Sequence, residues 1–169
     1  AHWAELGNLE FPVYEIALED ISVSTWAREV RNIEAGMVVI DTAPNARGMG
    51  ASIAVADLIL VPCTASGLDL DATTQTLAII EAARERRRDR VQVILIPNRV
   101  DSRTLEGRQL VEELSEFGEI VAPPIASRLA FVRSFTYGQS VASFVPGDPA
   151  DREIQALADE VEKIVGIPQ

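Results

Sequence analysis

Short apolar runs alternate along this chain with longer amphipathic stretches. Runs such as MVVID, LILVPC and VQVILIP are apolar at consecutive positions, which is typical of parallel strands that helices cover on both faces. Strands are predicted at 11–16, 37–41, 58–63, 91–97 and 119–121, and helices at 22–33, 50–56, 71–88, 104–117, 129–137 and 150–165. The pattern therefore predicts one α/β domain over residues 1–169, with a doubly wound, mostly parallel sheet.

Spacing within these segments also predicts a core. In the last helix, apolar residues recur at helical spacing and should face the sheet; they are Ile154, Leu157, Ala158, Val161, Ile164 and Val165. We expect the aromatic side chains Trp26, Phe117, Phe131 and Phe135 in the core, with Cys63 as a small buried hydrophobic residue.

Composition excludes several classes of function. With 15 basic and 26 acidic residues the net charge is -11, so any contact with nucleic acid or anionic lipid must be local. Cys63 is the only cysteine and His2 the only histidine, which excludes an internal disulfide and a multi-histidine metal site and suggests a cytoplasmic protein. Lys163 is the only lysine, and the sequence contains no G-x-x-x-x-G-K-[ST] phosphate loop.

Two polar residues end predicted strands, where open α/β sheets bind their ligands. Asp41 ends MVVID, and a carboxylate there can hold a magnesium-bound water beside a nucleotide phosphate; the alternative is a turn or helix cap. Asn98 ends VILIPN, and its amide can recognise a purine edge through its donor and acceptor. The alternative for Asn98 is a turn residue.

Four segments in order carry a resemblance to a known family. VVIDTAP, ADLILVPCTASGLDLDATTQTL, VILIPNRV and IASRLAFVRSFTYGQSV resemble the ParA/MinD family of deviant Walker ATPases, and most closely its short partition proteins. The resemblance covers the chain from Trp3 onward and implies a P-loop NTPase-like fold. It implies that Asp41 is the Walker B carboxylate that contacts Mg²⁺ through water, that Thr42, Pro44 and Gly48 belong to the switch loop, and that Asn98, Pro123 and Pro124 border the adenine of ATP.

The family's deviant Walker A loop, K-G-G-x-G-K-[ST], does not occur in the sequence. We expect about 40 further residues to precede residue 1 in the complete protein, on the usual size of such a domain. We therefore expect this chain alone to bind and hydrolyse no ATP. The family's first strand would lie beside residues 37–41, and we expect another chain to supply it rather than the 37–41 and 58–63 strands closing up.

For the complete protein, the resemblance implies slow ATP hydrolysis with magnesium, an ATP-dependent homodimer, DNA binding without sequence preference, and a partition partner protein that stimulates hydrolysis. Arginines at the end of the 71–88 helix complement its dipole, or else form a local patch for DNA phosphates. The candidates for DNA contact are Arg86, Arg87 and Arg88, with Arg103 and Arg108 as rivals. The alternatives are a non-catalytic interaction module and a MinD-like positioning ATPase at the membrane, although EKIVGIPQ at the C-terminus is no basic amphipathic extension.

Overall fold

The computed structural model describes residues 5–42, 45–87 and 91–166. Within them three strands alternate with helices. The elements are α1 (Val23–Arg31), α2 (Ala46–Ile53), β1 (Leu58–Cys63), α3 (Gly67–Arg84), β2 (Gln92–Pro97), α4 (Leu105–Ser115), β3 (Ile120–Val121), α5 (Leu129–Thr136), α6 (Val141–Phe144) and α7 (Pro149–Val165).

The three strands form a parallel sheet in the order β1-β2-β3. Leu58 lies opposite Gln92 at one end of the β1–β2 ladder, and Cys63 lies opposite Pro97 at the other. β2 is central and buried almost along its whole length, as its continuous apolar sequence predicts. The parallel α/β fold is confirmed.

Alternate residues of β2 face two different helix layers. Val93 and Leu95 pack with Ile80 of α3 and with Leu110 and Leu114 of α4. Ile94 and Ile96 belong to a second cluster on the opposite face, against which the apolar residues of α7 pack. The residues that α7 contributes are Ile154, Leu157, Val161 and Ile164, so its predicted core-facing stripe is confirmed for these four.

A third cluster joins α1 to α2. Trp26 and Ala51 are buried in it, and the Trp26 indole Nε1 donates to the carbonyl of Ile16 at 3.1 Å. Cys63 is also buried, as predicted, and its burial raises the pKa of the thiol. These positions agree with a core role for both side chains.

Phe135 departs from the predicted core. Its side chain is 51% exposed, because the inward side of α5 is formed by Phe131, Ser134 and the following Gly138. Phe117 and Phe131 are partly buried against the two sheet clusters, as expected. The prediction for Phe135 was wrong.

The predicted strands at 11–16 and 37–41 are also wrong, because both segments are neither helix nor strand. A strand needs a neighbour for its backbone hydrogen bonds, and within the described residues β1 pairs only with β2. Val39 is 82% exposed, whereas Ile40 packs against the α1–α2 cluster. The 37–41 segment does not close up on β1, and a strand supplied by another chain stays a prediction.

Among the described helices, none combines the length and the apolar character needed to span a membrane.

Candidate functional site

The carboxyl ends of the three parallel strands lie at one edge of the sheet. The chain leaves β2 at Asn98, whose backbone N–H donates to the carbonyl of Cys63 at the end of β1, at 2.8 Å. The N–H of Ile125, in the segment after β3, donates to the carbonyl of Pro97 at 2.8 Å. Main-chain hydrogen bonds thus hold the segments that follow neighbouring strands together at the edge where ligands bind in open α/β sheets.

A cleft of about 320 Å³ opens between the loop after β2 and the loop after β3. Val100 and Ala126 form a parallel bridge, and the N–H of Ser127 donates to the carbonyl of Val100 at 3.1 Å. The lining residues are Val100, Asp101, Ser102, Arg103, Ala126, Ser127 and Arg128. Backbone pairing therefore fixes the cleft's floor, and charged side chains form its walls.

One wall carries the Asp101–Arg103 ion pair. Arg103 donates from Nη2 to Asp101 Oδ2 at 2.6 Å and from Nε to Oδ1 at 2.9 Å. These bonds, with one from the Arg103 backbone N–H, lower the pKa of Asp101 to about 2. Asp101 is therefore ionised at neutral pH, while the Arg103 side chain is 88% exposed and faces solvent.

The other wall is anchored by Glu153 of α7. Its carboxylate accepts from Arg128 Nη2 at 2.6 Å and Nε at 3.0 Å, and from the N–H of Ala126 at 3.2 Å. Hydrogen bonding to this carboxylate raises the pKa of Arg128. Glu153 could not be predicted from the sequence, because it lies 25 positions from Arg128 and no local motif links the two residues.

Asn98 sits at this edge with its amide oxygen already engaged. Oδ1 accepts from the N–H of Arg99 at 3.0 Å, and Arg99 has a left-handed φ of 53°. This is the turn role foreseen as the alternative. Asn98 and the exposed Pro123 and Pro124 follow the neighbouring strands β2 and β3, so the fold brings these residues to the same edge, and their contact with adenine stays a prediction.

Asp41 and Thr42 are exposed residues ahead of α2. The Asn45 side chain caps α2 by accepting from the N–H of Gly48 at 2.7 Å. This helix begins four residues before its predicted start at residue 50, so Gly48 lies in its first turn rather than in an open loop. Pro44 lies outside the described residues, and the magnesium role of Asp41 stays a prediction.

The arginines at the end of α3 differ in their surroundings. Arg87 donates from Nη1 to the carbonyls of Ile53 and Ala56, at 2.6 and 2.9 Å. It therefore complements a helix end, as the dipole alternative proposed, but the end belongs to the neighbouring α2. Arg86 is exposed, and Arg88 lies outside the described residues.

The rival arginines flank the start of α4. Arg108 donates from Nη1 to the carbonyls of Ser102 and Arg103, at 3.1 and 3.0 Å. These bonds hold Arg108 against the loop that carries the exposed Arg103 side chain. The structure therefore brings Arg103 and Arg108 together beside the cleft.

Arg84 has a role that its place in an arginine run did not predict. Its guanidinium pairs with Glu119, just before β3, and Nη2 donates to the carbonyl of Val91 at 2.9 Å. The Arg84 side chain is only 8% exposed. It is an internal ion-pair partner that ties the end of α3 to two strand starts, rather than a surface charge at a helix end.

No cluster of three or more potential metal ligands occurs in the part of the chain that the structure describes. An exposed carboxylate such as Asp41 fits a contact with a Mg²⁺ ion that ATP phosphates would also hold, and this role stays a prediction.

No family model matches the chain. It is 27% identical to a ParA protein of Rhizobium radiobacter over 147 residues, which are 83% of this chain and 65% of that protein. The sequence comparison therefore extends through most of the chain, which spans less than two thirds of that relative.

Two solved structures share the fold. An ATP complex of a Cyanothece McdA variant has a TM-score of 0.58 with 19% identity, and apo McdA has 0.57 with 16%. They match 70% and 66% of this chain, and the chain spans 46% of each. These structures show that the chain shares a P-loop NTPase-like fold with McdA, and the similarity to a ParA protein agrees with the resemblance of the four ordered motifs to the ParA/MinD family of deviant Walker ATPases.

Proposed function

We propose that the complete protein is a ParA-type partition ATPase of the cytoplasm. It binds Mg-ATP, forms a homodimer, binds DNA without sequence preference, and hydrolyses ATP slowly until a partition partner protein stimulates it. Its role is to segregate a plasmid or chromosome. The observation that carries this proposal is the similarity to a ParA protein over 83% of the chain.

The proposed nucleotide-binding residues form two groups, one at the phosphates of ATP and one at its adenine. Magnesium bound to the phosphates would neutralise part of their charge. The Asp41 carboxylate would hold a water of that ion, and the switch residues Thr42, Pro44 and Gly48 would respond to the γ-phosphate. Gly48 lies in the first turn of α2, so a shift of this loop would be passed directly to a helix.

At the other end, Asn98, Pro123 and Pro124 border the adenine. An amide group can donate two hydrogen bonds while its oxygen accepts another. Because Asn98 Oδ1 already accepts from the Arg99 N–H, Nδ2 is the atom that we expect to reach an adenine ring nitrogen. The exposed prolines supply apolar surface for the ring.

DNA contact is assigned to the arginines beside the cleft in preference to those after α3. Arg103, although paired with Asp101, and Arg108 are both exposed, whereas Arg87 is half-buried and is held at the α2 end by its hydrogen bonds to backbone carbonyls. The net charge of -11 confines attraction for phosphates to such a local cluster.

Replacing Arg103 and Arg108 together by alanine is expected to weaken DNA binding by the ATP-bound complete protein and to flatten its salt dependence. For every phosphate that the variant no longer neutralises, the slope of log K against log salt should fall by about 0.9. Binding titrations at several salt concentrations measure this slope. The matched comparison replaces Arg86, Arg87 and Arg88 by alanine. If neither variant changes the slope, neither arginine cluster contacts DNA.

The 169-residue chain is expected to show no Mg-ATP binding with a Kd below roughly 100 μM, or about -5.5 kcal/mol. Triphosphate affinity in P-loop folds comes from a glycine loop and its lysine, and neither occurs in this sequence. Calorimetry measures the affinity, with circular dichroism to verify that the chain is folded. Tighter binding would refute this expectation, and failure of the complete protein to bind would favour the non-catalytic module.

A further inference from the structure

Residues 6–10, here called the N-terminal strap, lie across the turn between α5 and α6. The Asn8 Nδ2 donates to the carbonyl of Tyr137 at 3.0 Å, and the Ser143 Oγ donates to the Glu10 carboxylate at 3.3 Å. These hydrogen bonds join segments that are 129 and 133 positions apart in sequence. The strap is therefore tied by long-range contacts to the α5–α6 turn and to α6.

Gly138 makes the close approach of the strap possible. It is buried and has a left-handed φ of +66°. A Cβ atom at this position would lie 2.6 Å from the Cβ of Leu6 and 3.0 Å from its Cδ1. Such distances are shorter than van der Waals contact, so any side chain larger than hydrogen at position 138 pushes Leu6, and with it the strap, outward.

The interface between the strap and the α5–α6 turn is small and incompletely packed. A cavity of about 40 Å³ remains between residues 8–11 and two serines, Ser140 at the N-cap of α6 and Ser143 within it. Leu6 is still 39% exposed in the docked position. Segments with few buried contacts open at low free-energy cost, so this arrangement suits a strap that can release while the sheet stays folded.

The strap connects two parts of the molecule. Beyond it the chain reaches Ile16, whose carbonyl accepts from the Trp26 indole in the α1–α2 cluster. The turn on which the strap lies follows α5, and Arg128 at the start of α5 forms one wall of the cleft. A strap docked on Gly138 thus links the α1–α2 layer to a cleft wall.

We propose that the N-terminal strap is a releasable latch, and that its docking on the α5–α6 turn determines how firmly α5 and the Arg128 wall of the cleft are held. Docked, the strap ties α5 to the layer that contains α2. Once the strap is released, the sheet and the Arg128–Glu153 pair are what hold α5 in place.

Hydrogen exchange on the complete protein tests the latch with two glycine variants. Gly138→Ala should speed exchange of amides in the strap and in α5 by at least about tenfold, with exchange in β2 unchanged. Gly147→Ala is the matched control, because Gly147 also has a left-handed φ, of +75°, but a Cβ there meets nothing within 4 Å. It imposes similar backbone strain without touching the strap.

Asn8→Ala provides a second route that adds no steric clash, since it removes only the hydrogen bond to Tyr137. It should speed exchange in the same two segments, by a smaller factor than Gly138→Ala. If Gly138→Ala unfolds the whole domain, the Asn8→Ala variant alone tests the latch. Equal strap exchange in both glycine variants, no change in Asn8→Ala, or faster exchange in the strap without any change in α5 would each overturn the proposal.

Discussion

Replacing Asp41 with alanine is expected to lower ATP turnover by the complete protein at least about a hundredfold while leaving the fold intact. The fold should survive because Asp41 is exposed and lies outside helices and strands. Turnover should fall because the carboxylate is the protein group assigned to a magnesium-bound water beside the phosphates. Steady-state hydrolysis measures the first effect, and thermal unfolding the second.

Asp57→Ala is the matched control for this experiment. Asp57 is also an exposed aspartate outside helices and strands, but it directly precedes β1 and so lies at the amino end of the sheet. Ligands of open α/β sheets bind at the opposite edge, so this variant should retain parental turnover. A loss of less than about threefold in Asp41→Ala, roughly 0.7 kcal/mol in the barrier, would contradict the assignment of Asp41.

The strands of the observed sheet could be predicted because burial on both faces requires continuously apolar sequence. β2 illustrates this, since its residues 93–96 pack alternately into two different clusters and all four are apolar. The run at 37–41 has the same character but forms no strand in the described structure. An apolar run indicates that a segment can be buried, whereas strand formation also requires a partner, which the run itself does not encode.

The candidate site, like the fold, could be predicted from the sequence only in part. Asn98 and the Pro123–Pro124 pair could be predicted at one edge, because parallel strands place their carboxyl ends together. The ion pairs that hold the cleft and the helices could not be predicted. Arg128 and Glu153 become neighbours only through the topology of the whole chain, and the same is true of Arg84 and Glu119. No fixed spacing marks such pairs in a sequence with many charged residues.

Of these pairs, Arg84–Glu119 is expected to have the largest effect on stability. Their side chains are 8% and 16% exposed, and removing one partner of a buried ion pair typically costs about 3–5 kcal/mol, because the other charge is left uncompensated. Arg84→Met should therefore lower the free energy of unfolding by this amount. Chemical denaturation of the parent and the variant measures the difference.

Two further variants separate the ion pair from a general loss of packing. The double variant Arg84→Met and Glu119→Leu should recover part of the stability, because it leaves no buried charge alone. Recovery should be incomplete, since the carbonyl of Val91 loses its two hydrogen bonds from Arg84 in both variants. Arg103→Met removes one partner of the solvent-exposed pair with Asp101 and should leave the denaturation midpoint unchanged. An Arg84→Met variant as stable as Arg103→Met would show that the internal pair does not hold α3 to the sheet.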